Sequence, residues 1–242
     1  MDSILFILFI SVIGPIIGSL IGVFKKPSDS FTYNMLAFAA GVMISVSFLE
    51  LIPESIEYSS VTYAGIGILL GSITMFLIDK MIPHLHPELC NKKNCSPLKK
   101  TSIYLILGIF IHNFPEGLAI AIGVSSGTKL GLVVALAIAV QNIPEGICTS
   151  YPYYYCTKKR LKSFLVSAST IIPIIIGFFI GYMLYQSIPL NLIGILTAAT
   201  AGVMIYISTD ELIPCSCFKM TDHSTIFSFI IGVVLVIFLG LI

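Results

Sequence analysis

Long runs of apolar residues dominate the chain, and none of them alternates with polar residues as a half-buried strand would. A helix rises about 1.5 Å per residue, so about 20 apolar residues cross the roughly 30 Å hydrocarbon core of a bilayer. The pattern therefore predicts an all-α membrane protein with eight transmembrane helices. We number these spans 1 to 8 and place them near residues 4-24, 32-53, 63-82, 102-124, 129-150, 163-185, 190-213 and 225-242.

The first apolar run is expected to remain as a span. Met1-Asp2-Ser3 is not the basic segment that opens a signal peptide, and the run is longer than a signal peptide needs. The longest polar segment is a loop at about 83–101, and no linker divides the chain. We expect a single transmembrane domain over residues 1–242.

Composition agrees with this pattern, since 57% of the residues are hydrophobic, the mean hydropathy is +1.01 and 10% are charged. A soluble domain carries about 25% charged residues. The net charge of +1 says nothing about partners, and we expect no nucleic-acid partner for a chain of this membrane-protein composition. The sequence therefore predicts a multi-pass protein of the cell membrane, with the lipid bilayer as its surroundings.

The basic residues are unevenly placed between the spans. Twelve of the 13 Lys and Arg residues lie in connections that follow odd-numbered spans, and only Lys129 lies on the other side. The positive-inside rule then places the basic loops in the cytosol and both termini outside. Five of the six cysteines fall on the cytosolic side and Cys148 falls near the end of span 5, so free thiols or metal ligands are favoured over disulfides.

Two short sequence strings occur in both halves of the chain. Residues 40–44 and 50–53 read AGVMI and ELIP, and the same strings recur at 201–205 and 211–214, which is 161 positions later. By the loop charges, span 2 and span 7 run in opposite directions. The pattern predicts an inverted repeat of three, two and three helices, in which a substrate site lies near the midplane at the repeat interface.

Spans 4 and 5 carry a second pair of motifs, HNFPEG at 112–117 and QNIPEG at 141–146. Spacings of three and four residues put their polar side chains on one face of each helix. Each cluster includes a glutamate about halfway along a span, where an ionised carboxylate costs at least ~2.5–3.5 kcal/mol. Two such carboxylates require a compensating cation. Pro115 and Pro144 each remove a backbone N–H, so we expect both helices to be locally broken there.

The six candidate metal ligands are His112, Asn113, Glu116, Gln141, Asn142 and Glu145. An imidazole, two carboxylates and several amide oxygens form a borderline ligand field that suits Zn²⁺ and also accepts Fe²⁺, Mn²⁺, Co²⁺ or Cd²⁺. The plainer interpretation is that these residues join two kinked helices by hydrogen bonds. A kink needs a proline and one amide, however, and not a repeated glutamate with a histidine.

At these motifs the sequence resembles the ZIP metal-ion transporters, particularly their bacterial zinc-uptake branch. The resemblance covers nearly the whole chain and also includes AGVMISVSFLELIPE in span 2, DKMIPHLHPE after span 3 and ISTDELIP in span 7. It implies an eight-helix homodimer that takes Zn²⁺ into the cytosol as a transported substrate, with the six residues above as ligands. It implies no ATP and no catalytic cofactor.

Two features depart from the family pattern. Many members have a second histidine where this chain has Gln141, and many have an acidic residue in span 6, whereas residues 162–209 contain no Asp or Glu. The corresponding stretch is Ser169-Thr170-Ile171-Ile172-Pro173. We therefore expect one firmly held ion and a weakly held second.

Weaker candidates lie at the ends of the spans. Glu50 is a candidate at the entrance, whereas Glu54 and Glu57 suit a polar helix end equally well. The exit candidates are His84, His86, Asp210 and Glu211. His84 and His86 share their loop with Glu88, Cys90 and Cys95, and that loop is equally consistent with a plain solvated connection.

Three other functions compete with zinc uptake. A carrier of broad specificity for Fe²⁺, Mn²⁺, Co²⁺ or Cd²⁺ would use the same ligands. An intramembrane zinc hydrolase would use the glutamates as bases, but the sequence has no HExxH motif and no nucleophile set at the same depth. A channel would use the site as a selectivity filter.

Overall fold

The computed structural model describes residues 2–81, 95–217 and 223–241, and the regular structure in these ranges is entirely helical. The helices are α1 (Asp2–Phe24), α2 (Asp29–Val46), π1 (Ser47–Leu51), α3 (Ile52–Tyr58), α4 (Val61–Met81), α5 (Cys95–Ser126), α6 (Thr128–Thr157), α7 (Arg160–Ala168), α8 (Ile171–Ser187), α9 (Leu190–Ile207), π2 (Ser208–Leu212), α10 (Ile213–Cys217) and α11 (Ser224–Leu239). The all-α class predicted from the sequence is confirmed.

Seven helical stretches of the described residues are long and apolar enough to cross a membrane, and they correspond to spans 1 to 7. The protein is therefore a multi-pass membrane protein. The predicted span 8 corresponds to α11, which is apolar but has 16 residues. At about 1.5 Å per residue it extends roughly 24 Å, somewhat less than the hydrocarbon core.

The prediction that Pro115 and Pro144 break their helices is wrong. Both α5 and α6 continue through these prolines as single helices of 32 and 30 residues. Each proline removes only one hydrogen bond, and α5 and α6 are packed on several sides, so neighbouring helices hold the axis in place.

The helical irregularities lie elsewhere, in the repeated ELIP segments. π1 and π2 carry Glu50 and Glu211, and each is followed within two residues by Pro53 or Pro214. The amide N–H of Ile52 bonds to the Ser47 carbonyl, which is the wide i→i+5 turn of a π-helix. A proline that donates no hydrogen bond favours such a widened turn, and π-turns are frequent at functional sites.

Span 6 is also divided, because α7 ends at Ala168 and α8 begins at Ile171. The backbone N–H of Thr170 bonds to the Ser167 carbonyl at 3.2 Å, a tight turn between the two helices. Pro173 lies in the first turn of α8, where its missing N–H costs nothing. The break therefore places an irregular backbone segment inside the membrane-spanning stretch.

Helix packing follows the sequence repeat. α1 packs on α6 as α8 packs on α5, and α4 packs on α9 as α11 packs on α2. A Cβ added at Gly71 would lie 1.9 Å from the Ala199 carbonyl oxygen, and one added at Gly232 would lie 2.3 Å from that of Phe38. Gly232 follows Gly71 by 161 positions, and Ala199 follows Phe38 by the same number. The same close contact is therefore made twice.

Gly71→Ala and Gly232→Ala are each expected to destabilise the protein, because the added methyl group meets backbone that cannot move independently. The cost of such overpacking is about 1–3 kcal/mol. Thermal unfolding of the detergent-solubilised protein measures it as a fall in Tm. Gly65→Ala is the matched control on α4, since a Cβ there has no neighbour within 4 Å. Equal Tm values for all three variants would contradict the packing described above.

Candidate metal centre

The two PEG motifs face each other because α5 and α6 form a tight hairpin. Gly127 alone separates the helices, and His112 and Asn142 lie at equal distances along the chain on either side of it. A Cβ added at Gly123 would lie 3.2 Å from the Gly131 Cα, so small residues let the two backbones approach closely near the turn. Because both helices are continuous, the two motifs lie at the same distance from the turn along the helix axes.

All six ligands proposed from the sequence are at most 3% exposed. His112, Glu116 and Glu145 each offer one ligand atom, and these atoms all lie within 4.8 Å of one another. The His112 Nε2 atom lies 3.3 Å from the Glu145 Oε2 atom. Two carboxylates and an imidazole therefore meet inside the helical bundle, as the spacing predicts.

The amides of α6 turn their nitrogen atoms toward Glu116. Gln141 donates from Nε2 to Glu116 Oε1 at 2.5 Å, and Asn142 donates from Nδ2 to Glu116 Oε2 at 2.9 Å. On α5, Asn113 donates from Nδ2 to the backbone carbonyl of Thr170 at 2.8 Å. Each amide thus uses its donor end on a protein acceptor and keeps its oxygen for another partner.

Within the described residues, six buried side-chain polar atoms have no hydrogen-bond partner, and four of them are oxygens of this set. They are Asn113 Oδ1, Gln141 Oε1, Asn142 Oδ1 and Glu145 Oε1. A buried acceptor without a partner costs about 1–3 kcal/mol, and more when it is charged. Residues that only join helices would be paired with one another, so this concentration of unpaired oxygens argues against that interpretation and for a cation-binding role.

The donor set fits a divalent transition-metal ion. Zn²⁺ commonly takes four ligands from imidazole, carboxylate and thiolate groups, and His112, Glu116 and Glu145 supply three such groups. Amide oxygens complete the coordination of harder ions such as Mn²⁺. The site therefore matches zinc first and also admits the other metals considered above.

The entrance candidate lies apart from this cluster. Glu50 on π1 lines a cavity of about 470 Å³ beside the α5–α6 turn, together with Glu54, Glu57, Tyr58 and Lys129. All three glutamates, and not Glu50 alone, therefore face the cavity. Lys129, the exception to the basic-loop pattern, lines the same cavity and interacts electrostatically with Glu50.

The exit candidates differ from one another. Glu211 on π2 is half-buried and interacts electrostatically with His112 and Glu145, whereas Asp210 is exposed. His84 and His86 lie outside the described residues.

Sequence reasoning missed two groups near the site. Asp79 on α4 is 6% exposed, accepts a hydrogen bond from the Tyr206 hydroxyl at 3.2 Å and interacts electrostatically with Glu211. The single acid of α4, which lies two residues before the end of the helix beside Lys80, was the available signal. The second group is the Thr170 carbonyl, which lies at the break between α7 and α8 and accepts the hydrogen bond from Asn113. Pro173, in the first turn of α8, was the sequence signal for that break.

These features define a class: a multi-pass helical membrane protein with a buried acidic and imidazole cluster. The ZIP zinc transporter profile matches residues 1–101 and 84–240. The chain is 35% identical over 207 residues to the proteins named zinc transporter ZupT from Enterobacter sp. (strain 638) and from Escherichia coli (strain K12 / DH10B), with 82% of this chain and 80% of each relative covered. The chain belongs to the ZIP zinc transporter family, and it is a transporter rather than an enzyme.

Proposed function

We propose that the chain carries Zn²⁺ across the cell membrane into the cytoplasm through a site on α5 and α6. The observation that carries this proposal is the buried cluster of His112, Glu116 and Glu145 with four unpaired oxygen atoms around it. The metal ion is the transported substrate. Membership of a zinc transporter family and the name of the relatives from Enterobacter and Escherichia coli support zinc as that substrate.

Uptake of Fe²⁺, Mn²⁺, Co²⁺ or Cd²⁺ through the same site is the second candidate function. It is favoured by the amide oxygens of Asn113, Gln141 and Asn142, which outnumber the single imidazole and suit harder ions. Gln141 in place of a histidine further weakens the preference for zinc. Selectivity then depends on how much of the coordination comes from His112.

The proposed architecture has eight spans in a 3+2+3 inverted repeat forming one domain over residues 1–242. Two observations support it: the glycine contacts repeat with a constant offset of 161 positions, and π1 and π2 occupy corresponding places. α11 is the proposed eighth span. We further propose that the basic loops, including the one at about 83–101, are cytoplasmic and that the transporter is a homodimer, as the family resemblance implies.

The proposed route begins at the acidic cavity. Glu50, Glu54 and Glu57 raise the local concentration of cations there, and the field of three carboxylates exceeds that of the single Lys129. The ion next binds the buried cluster, and Glu211 receives it on the far side, since this residue interacts with both His112 and Glu145. Asp210, His84 and His86 complete the proposed exit.

Purified protein in liposomes tests this function. External Zn²⁺ is expected to enter with an initial rate that saturates with concentration, because a binding site fills. The rate is expected to fall steeply on cooling, because a carrier must change conformation in each cycle. A zinc-sensitive dye inside the liposomes reports the rate, and protein-free liposomes are the control. Flux that rises linearly with concentration would identify a channel, and absence of flux for every metal would overturn the proposal.

A further inference from the structure

A chain of buried hydroxyl groups lies behind the candidate metal centre and joins α1, α7 and α6. Ser19 Oγ lies 2.7 Å from Ser167 Oγ, and Ser167 Oγ lies 2.5 Å from Thr149 Oγ1. Thr149 donates to the Glu145 carbonyl at 2.9 Å. Either oxygen of each pair can be the donor, and Ser167 Oγ also lies 3.3 Å from the Gly146 carbonyl oxygen, so these contacts hold the three side chains together whichever way the protons point. All three side chains are at most 1% exposed.

The chain is anchored at the turn between α7 and α8. The Thr170 hydroxyl donates to the Ser167 carbonyl at 2.9 Å, and the Thr170 N–H bonds to the same oxygen. The Thr170 carbonyl in turn accepts the Asn113 Nδ2 donor. The position of this carbonyl therefore depends on Ser167, which the hydroxyl chain holds against α6.

The orientation of Asn113 follows from this contact. The nitrogen and oxygen of an amide point in different directions, so fixing Nδ2 on Thr170 also fixes Oδ1. Asn113 is fully buried, and its Oδ1 has no hydrogen-bond partner. The turn between α7 and α8 thus orients the neutral Asn113 oxygen. This turn lies in span 6, where the family pattern often supplies an acid.

We propose that Thr149 and Ser167 are positioning residues that orient the amide oxygen of Asn113 for metal binding, an inference that rests on the proposed function. Neither side chain is assigned a contact with the metal ion. Their effect passes through the Thr170 carbonyl. Because an amide oxygen is a hard donor, its orientation affects Mn²⁺ more than Cd²⁺, which binds mainly through softer ligands.

Thr149→Val and Ser167→Ala test this inference in the purified full-length protein. Competition against a chelator gives dissociation constants for Mn²⁺, Zn²⁺ and Cd²⁺. We expect the constant for Mn²⁺ to rise about threefold to tenfold, the effect of losing one oriented hydrogen bond. The constant for Cd²⁺ is expected to change less than about twofold. Thr149→Ser keeps the hydroxyl and is expected to restore parental values.

Thr197→Val is the matched control, because Thr197 is equally buried and its hydroxyl bonds to the Ile193 carbonyl within its own helix at 2.8 Å. Equal weakening of all three metals in Thr149→Val would indicate a general structural effect and overturn the proposal. If Asn113→Ala weakens Mn²⁺ binding while Thr149→Val and Ser167→Ala do not, the positioning role is wrong and the proposed site stands. If Asn113→Ala changes no dissociation constant, Asn113 is not a ligand. The positioning proposal and the assignment of Asn113 to the proposed site are then both wrong.

Discussion

Glu145→Gln is expected to lower zinc uptake by more than about a hundredfold while the protein remains folded. The substitution keeps the shape of the side chain but removes an anion that lies 3.3 Å from the His112 ring nitrogen and has a second oxygen without a partner. Removing one partner of a buried charge pair costs about 2–5 kcal/mol of binding free energy or more, and each 1.4 kcal/mol is a factor of ten in binding. Initial uptake rates in liposomes measure the loss.

Glu57→Gln provides the control for this prediction, since it makes the same chemical change in the acidic cavity, where the side chain is exposed. We expect that variant to retain most of its maximal rate. Uptake by Glu145→Gln within about twofold of the parent would remove Glu145 from the site, because a ligand loss of this size cannot be hidden at subsaturating zinc. Normal size-exclusion profiles of both variants exclude misfolding as the cause.

His112→Ala is expected to reduce zinc uptake about as severely and to reduce manganese uptake less. His112 supplies the single imidazole of the cluster, and Zn²⁺ favours nitrogen ligands more than Mn²⁺ does. The zinc-to-manganese ratio of kcat/KM in liposomes should therefore fall by about tenfold or more. This ratio separates a lost ligand from a damaged protein, because damage lowers both rates together.

The control for His112→Ala is His223→Ala, since His223 is exposed and directly precedes α11. It is expected to leave both rates unchanged. An unaltered zinc-to-manganese ratio in His112→Ala, with both rates reduced, would show that the imidazole holds the site together without binding the ion. In that case Glu116 and Glu145 with the amide oxygens would form the whole ligand set.

Seven membrane-spanning helices and the proximity of His112, Glu116 and Glu145 were predictable because each rests on a short-range rule. Apolar length identifies a membrane-spanning helix, and the spacing of His112 and Glu116 puts them on one face whatever surrounds the helix. The burial of all six proposed ligands and the proximity of His112, Glu116 and Glu145 agree with that prediction. Gly127 was the remaining requirement, since a one-residue turn leaves α5 and α6 no alternative to facing each other.

The irregular backbone was not predictable in the same way. A proline inside an apolar run removes one hydrogen bond, but its neighbours decide whether the helix breaks, widens or continues. Pro115 and Pro144 leave their helices continuous, Pro53 and Pro214 follow π-turns, and Pro173 follows a break. The orientation of Asn113 depends on that break, so its contact with the Thr170 carbonyl was also beyond the reach of the sequence.

The single residue between α5 and α6 restricts how the bound ion can be released. Gly127 has an extended backbone, with φ at 171°, and adds no slack to the connection. One helix therefore cannot shift by a turn, about 5.4 Å, along the other without unwinding at the hairpin. The proposed ligands on the two helices therefore keep their relative positions along the helix axes. Ion release from the proposed site then requires that the α5–α6 pair be uncovered on one side. It cannot result from sliding α5 and α6 along each other.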